Sequence, residues 1–267
     1  MSTPVVLAVG AHPDDVEFLM AGTLLMLRRA GCETHVLNVA SGSCGSRSHP
    51  AGALRAIRRR EARAAAAVLG ARWHPCLADD LEVLYDLRLL RRLAAVVREV
   101  RPGILLTHSP SDYMEDHVNA GRLAVSAAFA RGLPNFRTVP PRRAADGDVV
   151  VYHAMPAGLR DPLRGRVIPG LFVNTAPVHP RKREALARHR SQQDWLAHSQ
   201  KMSSTVRAME DLSREVGRMS RRFRHAEGWR RRLHLGFGAA DADPLRELLG
   251  EDCLASRAAE RALERGL

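Results

Sequence analysis

The stretch Val5-Val6-Leu7-Ala8-Val9-Gly10-Ala11-His12-Pro13-Asp14-Asp15-Val16-Glu17-Phe18 decides how the rest of the chain is read. Its apolar, Val-rich start, closed by Gly10, has the character of a buried strand in a parallel sheet. A histidine and two carboxylates follow at once, and a helical pattern then runs from Leu19 to Ala30. In an open α/β sheet ligands bind outside the carboxyl ends of the strands, which is where this cluster falls. His12 and Asp15 are both metal-ligand types, and a short turn can aim them at one ion. Asp14 sits between them, free to face a metal-bound water. Pro13 fixes its own φ and biases His12 toward extended backbone. The same residues allow a plainer reading, in which Asp14 or Asp15 caps the following helix. A further ligand has to decide.

Thr107-His108-Ser109-Pro110-Ser111-Asp112-Tyr113-Met114-Glu115-Asp116-His117 offers one. It follows an apolar run from Gly103 to Leu106 and leads into a helical pattern from His117 to Ala130. Two strand ends, each carrying His and Asp, suit a site of two histidines and one carboxylate with open coordination positions. Between them lie a strand over Glu33–Ala40, a Ser/Gly-rich segment 41–53 expected to be mobile over the site, and a helix over Leu54–Leu69. A short strand over Trp73–Leu77 precedes Asp79-Asp80-Leu81-Glu82, an acidic cluster of the kind found at helix N-termini, and a helix over Asp86–Val100. This alternation predicts an α/β fold: a Rossmann-like, mostly parallel sheet flanked by helices. No G-x-G-x-x-G follows the first strand, which argues against a dinucleotide. After a loop over 132–148 come strands over Val149–His153 and Gly170–Val173, a long helical pattern over Pro180–Met202, a helix over Met209–Phe223 and an extended return to Gly238. The division expected is a domain over 1–238 and a helical C-terminal extension over 239–267, packed on the domain or mediating assembly.

The 267 residues carry a net charge of +12, unusual for a small-molecule enzyme. Nucleic acid is the first partner such a balance suggests. The basic residues are spread over helices, however, and aromatics are only 4%, too few for stacking single strands. No nucleic-acid partner is expected; attraction of acidic small molecules is. Cys32, Cys44, Cys76 and Cys253 form no C-x-x-C pair, so they make no zinc ribbon. No signal peptide and no membrane span is evident, and a cytoplasmic protein is the expectation, with a homo-oligomer left open.

The motifs resemble those of the PIG-L/LmbE-like family of zinc-dependent sugar de-N-acetylases. Ala11-His12-Pro13-Asp14-Asp15 with Gly22-Thr23-Leu24 is similar to its first signature, and Asp116-His117 to the end of its second. Ile57-Arg58-Arg59-Arg60-Glu61 resembles its Arg-x-x-Glu helix, and His189-Arg190-Ser191-Gln192 its late His-x-Ser-Gln element. The resemblance runs from about residue 4 to about residue 238. It implies that His12, Asp15 and His117 bind Zn2+ and that Asp14 is the general base. It also implies an N-acylated amino sugar or conjugate, of the N-acetylglucosamine type, as substrate, oriented by Arg58. The chain departs from the family at Met114, where a histidine that aids the oxyanion or the leaving group is usual. Tyr113, His153 and His189 are the candidates to replace it, and Asp116, which orients that histidine in the family, needs another role. Two other functions stay open: an amidase for a non-sugar conjugate, and a zinc-site binding protein without hydrolysis.

Overall fold

A computed structural model describes residues 4–199 and 204–264. Strands β1 (Val6–Gly10), β2 (Thr34–Asn38), β3 (Arg72–His74), β4 (Ile104–Thr107) and β5 (Val150–Ala154) are joined in parallel. Strands β6 (Leu171–Asn174), β7 (Ala226–Arg231) and β8 (Cys253–Ala255) extend the same sheet with antiparallel pairing. The order is β3-β2-β1-β4-β5-β7-β6-β8. Sequence order therefore reverses between β1 and β4, and a crevice opens there, outside their carboxyl ends. Both His- and Asp-bearing turns leave the sheet at that crevice.

Alternation along β1 explains why it lies at the centre. Val6 and Ala8 pack into one apolar layer with Leu24 and Leu27, while Leu7 and Val9 enter the opposite layer with Leu93, Val97 and Leu123. A strand fully buried on both faces needs helices on both sides. They are α1 (Asp15–Leu19), α2 (Ala21–Arg29), α3 (Ala51–Leu69), α4 (Leu87–Val100), α5 (Glu115–Phe129), α6 (His179–Leu186), α7 (Arg190–Ser199), α8 (Thr205–Ser220), α9 (Pro244–Leu249) and α10 (Arg257–Glu264).

Several expectations are corrected. The pattern over Pro180–Met202 is two helices, broken between Leu186 and Arg190, with residues 200–202 outside the described residues. His189 is buried at the break, and Ser191 just after it donates through N and Oγ to Glu61 at 3.0 and 2.6 Å. A long-range carboxylate thus fixes the start of α7. The chain beyond 239 is not wholly helical, since β8 joins β6 between α9 and α10. Asp79 and Asp80 begin no helix. Asp80 accepts from the Gly42 and Cys44 amides at 2.6 and 2.9 Å, and Asp79 pairs with Arg55, so the Ser/Gly segment is tied down at its start.

Candidate functional site

Leaving β1, the chain turns so tightly that Asp14 takes φ 112°, ψ −23°, in left-handed space. That conformation is costly for a residue with a Cβ, by about 1–3 kcal/mol. Asp14 makes no side-chain cap to α1. Asp15 turns back instead, its Oδ2 accepting the His12 amide at 2.6 Å. The capping reading therefore gives way to a turn that releases the Asp14 carboxylate and points Asp15 at the second turn. Asp15 Oδ1 lies 3.4 Å from His117 Nε2, and its Oδ2 lies 3.3 Å from His108 Nε2.

One ligand atom from each of His12, Asp15 and His117 lies within 4.8 Å of the other two. His108, Asp112 and His117 meet the same limit, but one polar atom of each is already engaged, while His108 Nδ1 and Asp112 Oδ2 have no partner among the described residues. His108 Nε2 accepts the Ala11 amide at 2.8 Å, and Asp112 Oδ1 holds His117 Nδ1 at 2.9 Å. The first grouping suits a metal better. His12 Nε2 lies 3.1 Å from Asp116, leaving Nδ1 on the Asp15 side, and Asp112 leaves His117 Nε2 facing Asp15. A carboxylate on the far nitrogen of each histidine is the usual outer support of metal-binding imidazoles. Two nitrogens and one carboxylate oxygen match zinc's preferred donors, so the residues present fit the ion.

Electrostatics agree. Burial works against the Asp15 carboxylate, yet His117 and His108 hold it well below the ordinary range. Burial also opposes a charge on His12, but Asp116 and Asp15 lift it to about 10. So much converging negative charge favours a cation at this point. Asp14 behaves differently: burial raises it to about 6 against the pull of Arg58, whose guanidinium lies 3.6 Å away.

The cluster opens into a cleft of about 260 Å³, at the small end for ligand pockets. His12, Asp14, Asp15 and His117 line it with Arg58, Tyr113, Met114, Gln192 and Trp195. Arg58, almost fully buried, also donates to the Pro13 carbonyl and to Gln192. Arg58 and Glu61 thus grip Gln192 and Ser191 across one helix contact, which explains why those two sequence elements occur together. Tyr113 is half exposed, its ring edge-on to His117 at 5.5 Å.

The structure does not bring every candidate here. His153 lines a different cavity, with its Nδ1 bonded to the His108 carbonyl at 2.7 Å. His189 is sealed behind the cleft, 3.4 Å from the equally buried Glu17. Asp116 lies on His12 and accepts the Leu81 amide at 2.8 Å, which gives it a supporting place rather than a catalytic one. His108 and Asp112 were not singled out from sequence, though both sit in the quoted second turn. Asp112 lies five residues before the ligand candidate, and His108 directly follows its strand, as Ala11 and His12 follow β1.

Residues 7–128 match the family described as PIG-L: GlcNAc-PI de-N-acetylase. Diacetylchitobiose deacetylase of Thermococcus kodakarensis is 34% identical over 137 residues, 49% of this chain and 51% of that protein. 4-Oxalmesaconate hydratase of Pseudomonas putida is 33% identical over 137 residues, 48% of this chain and 53% of that protein. The chain thus spans about half the length of the curated relatives it matches. The crystal structure of GalB, the 4-carboxy-2-hydroxymuconate hydratase of Pseudomonas putida, has the same fold, with a TM-score of 0.74, 23% identity, and coverage of 90% of this chain and 99% of that one. The stretch from Leu7 to Ala128, which holds both turns of the cluster, is therefore PIG-L-like, as its motifs imply.

Proposed function

We propose that the protein is a zinc-dependent hydrolase that removes an N-acyl group, acetyl in the first instance, from an amino sugar or amino-sugar conjugate. The observation that carries this reading is the placement of Asp14: a buried carboxylate raised to about 6, lining the same cleft as His12, Asp15 and His117. A general base works best when its pKa lies near the working pH. When bound, zinc supplies Lewis acidity toward a carbonyl oxygen and acidifies a water.

The chain's own residues do the rest. Asp14 takes a proton from the attacking water as its oxygen adds to the amide carbon. It returns that proton to the nitrogen as the C–N bond breaks, leaving an amine and a carboxylic acid, which gives its remaining proton to solvent or to the amine. Arg58 keeps Asp14 ionised between turnovers. Tyr113 is the candidate best placed to donate to the developing oxyanion, because its side chain lines the cleft where His153 and His189 do not. Gln192 and the ring of Trp195 offer a sugar a hydrogen-bonding edge and a flat face.

A second reading, hydration of an unsaturated carboxylic acid, is favoured by Met114 and by the hydratase relative. Addition of water to an alkene needs a base and a metal but no donor to an amine leaving group. Zinc-loaded protein should be assayed on N-acetylglucosaminides and N,N'-diacetylchitobiose for released amine, and on unsaturated hydroxy-dicarboxylates for lost ultraviolet absorbance. Zinc-dependent amine release supports the deacylase. Loss of absorbance without amine release overturns it in favour of the hydratase, and activity on neither substrate class overturns both.

A further inference from the structure

A second cavity, of about 190 Å³, shares no lining residue with the cleft. His153 enters it from the end of β5, Arg122 from α5 and Arg232 from just beyond β7, beside Tyr85 and Ser126. No carboxylate lines it. The Arg122 guanidinium lies over the Tyr85 ring at 4.6 Å and that of Arg232 over Phe237 at 5.8 Å, contacts that leave N–H edges free for an anion.

His153 gives the cavity its chemical character. The ring is 5% exposed, and its Nδ1 lies 2.7 Å from the His108 carbonyl oxygen, which can only accept. Nδ1 therefore carries the proton. Nε2 has no partner among the described residues. Burial first, and then the Arg232 charge, lower the His153 pKa although the His108 carbonyl favours protonation, so the ring is neutral at pH 7. A neutral imidazole protonated on Nδ1 presents a lone pair at Nε2. A buried acceptor facing an empty bond costs stability unless a donor meets it. The cavity thus offers two cationic donors and one buried acceptor.

We propose that this cavity binds inorganic phosphate in its monohydrogen form, the P–OH donating to His153 Nε2 and the bare oxygens accepting from Arg122 and Arg232. Of the common oxyanions, sulfate has no proton to give at neutral pH. A phosphomonoester has lost its last proton above about pH 6. Hydrogen phosphate keeps one. The assignment concerns a site apart from the cleft and does not rest on the deacylase reading, because its test measures binding and not turnover.

The test is calorimetric titration of the full-length, zinc-loaded protein at pH 7.5 with inorganic phosphate, sulfate and methyl phosphate in turn. Phosphate should bind with a Kd of about 1 mM or tighter. Sulfate and methyl phosphate should bind at least roughly tenfold more weakly, the worth of one buried hydrogen bond. Arg122→Gln and Arg232→Gln, both at exposed positions, should each weaken phosphate by about tenfold or more with an unchanged melting temperature in phosphate-free buffer. Equal binding of phosphate and sulfate would overturn the proposal, because the His153 lone pair would then play no part. Phosphate binding that survives the double variant would also overturn it, placing the ion elsewhere, the metal included. So would the absence of binding at about 10 mM phosphate, where a site of this affinity is nearly full.

Discussion

The turn after β1 and the turn after β4 each end a buried parallel strand, and both deliver a histidine and carboxylates to one point, yet they are held in different ways. The first is short and fixed chiefly by its backbone conformation, with the Asp15 side chain closing it. Asp14 sits at φ 112°, the Asp15 amide donates to the His12 carbonyl at 3.2 Å, and the Asp15 side chain bonds the His12 amide. The second is longer and held by side chains. Ser109 Oγ accepts the Ser111 amide at 3.2 Å, and Asp112 Oδ1 takes both the Met114 amide at 3.2 Å and His117 Nδ1. A backbone-held turn ties each residue's identity to its φ and ψ. A side-chain-held loop leaves positions free wherever only the backbone is gripped. Met114 is such a position: its amide is bound, while its side chain opens to the cleft without capping α5. The place where the chain departs from the family its motifs resemble lies in the turn that can bear a change.

The largest expected effect belongs to the first turn. Asp14→Asn should lower turnover about 10²- to 10⁴-fold with metal retained, since Asn cannot take a proton. Asn also tolerates left-handed backbone, so the turn should keep its shape. Metal content by elemental analysis beside single-turnover rates checks this; near-normal turnover would remove Asp14 from its role. In the second turn, Asp112→Ala and Asp116→Asn should each weaken metal binding about 10- to 100-fold. Asp112→Ala should cost more, because it also frees the Met114 amide. Competition with a chelator of known affinity measures both, and equal losses would mean that Asp112 does not hold the loop.

Arg58→Gln sharpens the comparison through pH. Asp14 must be ionised to act, so activity rises with pH through its pKa. Burial raises that pKa to about 6 and Arg58 opposes the rise. Removing the guanidinium lets the carboxyl hold its proton to higher pH, and the acid limb of kcat/KM should move up by about one unit. A limb that stays in place would assign the titration to another group.

Legibility in the sequence followed the same division. The strands and the first turn could be read because their determinants are local: a Val-rich run, then His-Pro-Asp-Asp. His108 and Asp112 could not, because His108 takes its place from the Ala11 amide, 97 residues away, and Asp112 from a bond to a residue that only the loop's folding brings near. The break before α7 was hidden for the same reason, since helical periodicity runs through it and Glu61 on α3 fixes it from outside. From sequence His153 is a site candidate because it ends a strand, and His189 because it opens the late His-x-Ser-Gln element within a helical pattern. Packing decides between such histidines: it placed His153 against the His108 carbonyl and His189 against Glu17.

The smallest expected effect is on stability, and it bears most directly on the difference between the turns. Met114→His introduces the residue usual in the family the motifs resemble, at a position whose backbone is already bound and whose side chain faces the cleft. It should change stability by no more than about 0.5–1 kcal/mol, the range for substitutions away from a packed core. Asp14→Ala is the matched change in the first turn. It removes a buried charge, which favours folding, but places alanine at φ 112°, where Ala is disfavoured more than Asp or Asn. Asp14→Asn removes the same charge and keeps the backbone tolerance, so the excess cost of Ala over Asn, expected at about 1 kcal/mol, isolates the backbone term. Urea unfolding of metal-loaded Met114→His, Asp14→Ala and Asp14→Asn measures all three under one condition. If Met114→His destabilises as much as Asp14→Ala, or if Ala and Asn at position 14 are equal, the two turns are held alike and the reason given for tolerance at Met114 falls.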